Sequence, residues 1–513
     1  MRRDIPRLAD TSFDLLIVGA GIYGACAAWD ASLRGLSVAV VDRDDFGAAT
    51  SANSLRVVHG GLRYLTRGDF SRMRESIRER STLLRIAPGL VEPLPVLVPT
   101  YGIGHRGRIA HALALALNDL VSLDRNRHLD PDRLIPRGRV ISRVECLQLF
   151  PWFEAPGLSG GAIWHDALLG HPERLTLSFV KAAAASGAVP ANYLRVTRLL
   201  THHGAAQGAR AIDGLSGAEI DIRARAVLVA AGPWTRGLVA TGMGATTIDV
   251  GGRALGLNVV IARRLADVAV GVQARSGRRE DPVCGGHRFL FCAPQGEATL
   301  LGTWYTAAAS HPQAARDRGV TALLGEFNAA CPGLDLSAGD VVRSQWGWLP
   351  LKGINERGRP GALAERPRIV DHGRQGVRHL VSVEGVKYTT ARLVAEQAVD
   401  RVFASLDRTS PRCRTAETRL PGAEARVRAN RVAIPAGGEI VRAVREEMAV
   451  TLPDIVFRRT TLGAAPGPQR SAVEDVARTA GLELGWDSLR QQAEVDAVMQ
   501  QAGVPGPAME AVG

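Results

Sequence analysis

The chain is poor in the residues that staple small or exported proteins. It has six cysteines in 513 residues, Cys26, Cys146, Cys284, Cys292, Cys331 and Cys413. They form no C-x-x-C pair and no His/Cys group at zinc spacing. Neither a disulfide framework nor a bound metal is therefore expected, and a reducing, cytoplasmic setting fits. No uncharged apolar run reaches the ~18 residues that a membrane-spanning helix needs. The nearest approach, Ile109 to Leu123, carries His111, Asn118 and Asp119. It reads as a helix lining a core or groove, with an interfacial role as the alternative. No apolar segment precedes the first strand, so a cleaved export signal is not expected. Internal repeats and low-complexity tracts are missing too. The chain has no interleaved basic and aromatic pattern of the kind that binds nucleic acid, so no nucleic-acid partner is expected.

What is present bounds a large globular protein. With 46% hydrophobic and 22% charged residues, the chain can bury a substantial core and should divide into two or three domains. The net charge of +12 is carried mostly by arginine. It suits an anionic substrate or an acidic membrane surface, and equally a plain solvated basic exterior.

The chemistry is most legible from Phe13 to Asp42, FDLLIVGAGIYGACAAWDASLRGLSVAVVD. An apolar run ends at Gly19, and Gly21 and Gly24 complete G-x-G-x-x-G. A helical stretch follows, and a second apolar run closes on Asp42. Such a βαβ unit brings a pyrophosphate to the positive end of a helix dipole, while the terminal acid holds ribose hydroxyls. A dinucleotide with an unphosphorylated adenosine ribose follows, either NAD or FAD. Further along, the spacing predicts a helix from Phe70 to Ile86, a helix from Leu169 to Ala185 and a hairpin from Tyr193 to Asp221. An apolar strand then stops at Ala-Gly-Pro-Trp, where Gly232 permits close approach of a ligand. Strand-like runs dominate 251–350, and strand, glycine turn and helix return over 378–406. Amphipathic helical pieces fill the tail beyond Pro411.

These blocks carry a specific likeness. VGAGIYGACAAWDASLRGLSVAVVDRDDFGAATSANS, VVHGGLRYL, AAGPW, EGVKYTT and the tail beginning RLPG resemble the FAD-dependent glycerol-3-phosphate dehydrogenases of the D-amino-acid-oxidase-like flavoprotein superfamily. The resemblance implies an α/β fold with a discontinuous Rossmann-like FAD domain (1–250, with a helical insertion at about 101–160, and 351–410). It also implies an antiparallel-sheet substrate domain (251–350) and a small helical C-terminal domain (411–513). It implies oxidation of a secondary alcohol, with electrons passing to quinone or oxygen. Gly19, Gly21, Gly24 and Asp42 would hold the ADP half of FAD. Thr50, Ser51, Ser54, Gly232 and Thr389 would border the rest of the cofactor, which the family holds noncovalently. His59, Arg63, Tyr64 and Lys387 would be catalytic, with His59 as a near-neutral imidazole receiving the hydroxyl proton, Arg63 on the substrate phosphate and Lys387 beside the flavin.

Three departures cluster in the expected substrate pocket. The family's G-x-R-P arginine is read here as Trp348, its strand histidine as Asn258, and its G-T-T-D acid is lost in a stretch that introduces Trp304. Either Lys352, Arg343 or Arg253 supplies a substitute cation, or the pocket accepts a less charged alcohol or amine. The second is the favoured expectation. A flavin-binding protein without activity is a further alternative, opposed by the retained His59, Arg63, Tyr64 and Lys387. The basic charge and the quinone-linked relatives together imply peripheral contact with a membrane from the cytoplasmic side.

Overall fold

The computed structural model describes residues 1–154, 156–244, 253–275, 289–307, 312–352, 362–422, 433–464 and 466–503. Two sheets and a helical tail make up the molecule. The first sheet is built on the strand Ser12–Val18, whose LLIV run is buried on both faces, as the inner strand of a parallel sheet must be. Val38–Val41 pairs with it on one side and Glu219–Val229 on the other, both parallel. Val189–Ala191 and Leu380–Glu384 extend the parallel set, and Arg368–Asp371 closes the edge antiparallel. The cofactor-type sheet thus gathers strands from both ends of the sequence. The helix Ile22–Leu33 packs on it against Pro172–Ala185 and Ala391–Ser405. Alanines at positions 25, 27, 28 and 31 let these helices approach closely.

Among the described residues the second sheet has nine strands. Val341–Pro350, Arg253–Ile261, Ala298–Ala307, Phe289–Gln295 and Ala269–Gln273 are antiparallel neighbours in that order. The sheet then continues, through a parallel pairing, into Val91–Tyr101 and on to Leu158–Leu169 and Val57–Val58. Strands from the first 250 residues therefore share the substrate sheet. Helix Pro312–Ala330 covers one of its faces: a side chain at Gly319 would strike both Leu257 and Trp304. Beyond the sheets, Gly437–Glu447, Asp454–Arg459, Arg470–Leu484 and Ser488–Ala502 form a helical domain with its own core around Leu452, Ile455 and Val473.

One sequence expectation is reversed. Helix Arg108–Val121 does not line a core: of its side chains only Leu115 is buried, while Ile109, Leu113, Leu117 and Leu120 are exposed, with Leu123 just beyond its end. Its apolar stripe at i, i+4, i+8 and i+11 faces outward. Hydrophobic periodicity specifies that such a stripe exists, and says nothing of what covers it.

Candidate active site

The two sheets meet over a cavity of about 2180 Å³. Gly19, Gly21 and Asp42 border one end, and Thr50, Ser51, Ser54, Gly232 and Thr389 follow along its walls. Gly19 lies at φ +100°, and a Cβ there would come within 2.7 Å of the Ala230 carbonyl oxygen. This close contact fixes the turn at the mouth of two strands. Gly24 does not border the cavity. A Cβ at Gly24 would sit 1.8 Å from the Gly19 carbonyl oxygen, so this third glycine serves helix-to-turn packing. The first helical amide, Ile22 N–H, donates to Ser51 Oγ at 3.0 Å. Asp42 accepts from Ala20 N–H at 2.6 Å and from Asp44 N–H at 3.1 Å. Burial, helped by the neighbouring Asp44, pushes its carboxyl up to about 7.

Tyr23, inside the glycine fingerprint, joins this end to the other. Its hydroxyl donates to the Lys387 carbonyl at 2.6 Å and accepts from the amides of Val386 and Lys387 at 3.1 and 3.0 Å. A side chain at Gly385 would overlap the Tyr23 ring. The sequence offered Tyr23 only as a variable position of the fingerprint.

Around Tyr64 the expected catalytic side chains converge. Tyr64 is fully buried and its hydroxyl has no hydrogen-bond partner among the described residues. Lys387 Nζ stands 4.5 Å from the ring centroid, and the guanidinium carbons of Arg72 and Arg63 lie 4.9 and 5.4 Å from it. The His59 ring meets Tyr64 edge-on with centroids 6.3 Å apart. Gly60 and Gly61 let the backbone pass beneath: Gly60 N–H donates to Asp166 at 2.6 Å, and Gly61 is left-handed at φ +81° against the Tyr64 ring. Asp166 also receives Arg80 at 3.3 Å and Trp164 Nε1 at 3.2 Å. Asp166 and Arg80 thus brace the histidine turn, a role with no local signal in sequence.

Burial, with the charges of Arg63, Lys387 and Arg80, pulls the His59 imidazole down to about 3, below the near-neutral value expected of it. Burial and Arg63 bring the Lys387 ammonium down to about 8. Of the two groups, Lys387 lies nearer neutrality.

Strand alternation corrects one of the three substrate-pocket assignments. Trp304 faces Leu257 and the helix Pro312–Ala330, in the core and away from the cavity. Trp348 pairs with Leu255 and does border the cavity. There it meets Trp346 edge-on at 5.8 Å, with Arg253 over its own ring at 4.9 Å and Arg316 over Trp346 at 4.8 Å. Gly347 turns toward the cofactor loop, where an added Cβ would press on Thr50. Counted from Gly347, the arginine position of G-x-R-P is Leu349, which borders the cavity with Gly256 and Tyr305. Asn258 does border the cavity. Its amide is committed, accepting from Thr303 Oγ1 at 2.7 Å and donating to the Asn53 carbonyl at 3.1 Å. Of the candidate substitute cations, Arg253 borders the cavity. Arg343 sits instead over Phe457, and Lys352 lies 4.0 Å from Glu365 at the surface. Cys26, Cys146, Cys292, Cys331 and Cys413 are free thiols, and Cys284 lies outside the described residues.

Residues 14–401 match the family described as FAD dependent oxidoreductase, and residues 428–491 the C-terminal domain of alpha-glycerophosphate oxidase. A glycerol-3-phosphate dehydrogenase from Synechocystis is 33% identical over 436 residues, covering 82% of this chain and 76% of the relative. The chain belongs to the FAD-dependent glycerol-3-phosphate dehydrogenase family. A probable mitochondrial member from Caenorhabditis elegans is 28% identical and spans 94% of this chain. In fold, the chain resembles the glycerol-3-phosphate dehydrogenase of Bacillus halodurans, determined with FAD, at a TM-score of 0.72 and 23% identity over 99% of this chain and 98% of that one. FAD is therefore the cofactor of this family member, and the enzyme is an oxidoreductase. The cavity suits that group: a helix N-terminus cleared by glycine borders it, and so does buried Tyr64, whose hydroxyl has no partner among the described residues.

Proposed function

We propose that this enzyme oxidises the secondary alcohol of a glycerol-3-phosphate-like substrate and passes the electrons to quinone or oxygen. The observation that carries this reading is the convergence of Arg63, Arg72 and Lys387 on Tyr64 within the cavity. Gly19, Gly21 and the amide end of helix Ile22–Leu33 would receive the cofactor pyrophosphate and Asp42 the adenosine ribose. Thr50, Ser51, Ser54, Gly232 and Thr389 would flank its remainder. Bound FAD supplies the two-electron oxidant that takes hydride from an alcohol carbon. Arg63 pairs with the substrate's anionic end, Tyr64 orients the hydroxyl, and neutral Lys387 accepts the hydroxyl proton. Anaerobic addition of sn-glycerol 3-phosphate to the yellow holoenzyme tests the reading. Bleaching of the flavin band at millimolar substrate or below supports it, and a persistent band overturns it.

Asp42 gives the cofactor site a pH signature. Above about 7 it is a carboxylate that accepts from both ribose hydroxyls. Below that pH it carries a proton and loses an acceptor. FAD affinity, followed by flavin fluorescence, should therefore fall between pH 8 and pH 6, and Asp42→Asn should abolish the trend.

A second reading, a less charged alcohol or an amine as substrate, is favoured by Leu349. An arginine there would add a charge-assisted contact worth about 2–3 kcal/mol, or ~30- to 150-fold in phosphate affinity. If the pocket retains a phosphate substrate through Arg63 alone, Leu349→Arg lowers the KM for glycerol 3-phosphate by a factor in that range. An unchanged KM, with turnover of an uncharged alcohol, favours the second reading.

The electron acceptor bears on location. We propose peripheral attachment at the cytoplasmic face of a membrane, through helix Arg108–Val121. Among the described residues no helix is long and apolar enough to cross a bilayer. Ile109 and Leu113 are 77% and 68% exposed, exposed Arg108 opens the helix, and exposed His105, Arg106 and Arg127 lie just outside its ends in sequence. An apolar stripe rimmed with cations matches a surface of anionic lipid. Replacing Leu113 and Leu120 with aspartate should lower partitioning onto phosphatidylserine vesicles by roughly 10²-fold or more, from lost leucine burial. Flotation of the variant equal to that of the parent would exclude this face.

A further inference from the structure

The C-terminal helical domain holds helix Pro172–Ala185 through Glu447, which pairs with Arg174 and Lys181, and it grips the nucleotide domain again in a dense buried cluster three residues past Asp42. Asp45 is completely buried. It accepts from Arg459 through both guanidinium nitrogens, one bond measuring 2.7 Å, and from Arg458 Nε. Asn192 Nδ2 adds a bond at 3.0 Å. The same groups run on into the C-terminal domain. Arg459 also donates to the Glu447 carbonyl at 2.8 Å, and Asn192 to the Met448 carbonyl at 2.8 Å. Arg458 reaches Asp454, whose carboxylate accepts the Tyr193 hydroxyl at 2.7 Å. Despite burial, the two arginines hold the Asp45 carboxyl down to about 2.

The turn from Asp42 to Asp45 is pinned from the opposite side as well. Asp42 N–H donates to the Ala191 carbonyl at 3.0 Å, Leu194 N–H to the Asp42 carbonyl at 2.7 Å, and Tyr193 N–H to the Asp44 carbonyl at 3.1 Å. Asp42, Arg43 and Asp44 border the cofactor cavity, and Arg43 stacks over Trp234 at 3.8 Å. The backbone that presents Asp42 thus has one end in the sheet and the other in a buried charge cluster owned largely by the last domain.

We infer that the C-terminal domain is a cofactor-retention element, which holds the Asp42–Asp45 turn in its receptive shape by clasping Asp45 with Arg458 and Arg459. This goes beyond the proposed reaction, since it concerns how the enzyme keeps FAD and not what it oxidises. A buried carboxylate stripped of its guanidinium partners must seek water, and the nearest route is to pull the turn outward. Coupling of this kind is reciprocal: if docking of the domain strengthens FAD binding, FAD binding strengthens docking by the same factor.

The test uses the full-length holoenzyme and needs no substrate. Arg459→Met should speed FAD release, read as recovery of flavin fluorescence on dilution, by about 5- to 150-fold, the usual span of such couplings. Tyr193→Phe, which removes the hydroxyl's bond to Asp454 and its longer contact with Thr451 at 3.4 Å, should show a smaller increase. Arg445→Ala, which breaks only the surface pair with Glu483 inside the C-terminal domain, should release FAD at the parent rate. In the parent, FAD should slow amide exchange across residues 447–460 relative to the apoprotein. A merely structural clasp would lower the melting temperatures of apo and holo forms alike and leave that exchange unmoved. Should Arg459→Met fail to fold, Tyr193→Phe and the exchange measurement decide alone. Equal release rates with no FAD-dependent protection overturn the inference.

Discussion

Lys387→Met should lower kcat/KM by about 10²- to 10⁴-fold, the usual contribution of a positioned proton acceptor. The loss should come with a change in the shape of the pH profile. Lys387 titrates at about 8. Its neutral form, the one able to take a proton, fills in as pH rises, so the parent profile climbs through pH 8 to a plateau. The methionine variant should be flat across that range. Lys387→Arg should also be inactive at alkaline pH, because a guanidinium stays charged and cannot accept a proton. His59→Asn, by contrast, should leave the alkaline limb in place, since the imidazole is already neutral well below pH 6. A parent profile that lacks a limb near pH 8, or a His59→Asn profile that loses it, would move the proton acceptor away from Lys387.

The second large effect is expected at Arg63. Arg63→Leu should weaken turnover of a phosphate-bearing substrate by ~30- to 150-fold in kcat/KM, equivalent to about 2–3 kcal/mol for a lost charge-assisted contact. The deficit should shrink for an uncharged alcohol of the same carbon skeleton. Arg63 also depresses the lysine, since its charge is among the causes that lower Lys387. Removing it should therefore shift the alkaline limb upward in pH. A substrate-independent loss with no movement of the limb would mean that Arg63 acts only in folding.

The sequence was most readable where function is local. Glycines at positions 19 and 21, the helix behind them and the acid at 42 all act within one βαβ unit, and their spacing contains the geometry. The discontinuous FAD domain is legible through family likeness, and the helical tail through its amphipathic pieces as well. Legibility ends where the deciding fact lies across the fold. Whether Trp304 faces the cavity or the helix Pro312–Ala330 depends on pairing with Arg253–Ile261, and a one-residue slip in a strand exchanges its two faces. The His59 pKa depends on three cations brought from Arg63, Arg80 and Lys387, and Tyr23 depends on a turn some 360 residues downstream. The outward leucines of Arg108–Val121 show the converse limit: the pattern was seen and its environment was not.

The order of strands in the first sheet also constrains how the enzyme is made. Ser12–Val18 needs Glu219–Val229 on one edge, and that strand in turn needs Leu380–Glu384. At a ribosomal pace of ~5–20 residues per second, the first strand waits on the order of 20–80 s for the last member of its sheet. Until then the apolar end of Glu219–Val229, residues Val227 to Val229, lacks its partner beside the unfinished site. Flavin loading must therefore come late in synthesis, and a cell short of chaperone capacity should lose this protein to aggregation while the chain is still emerging.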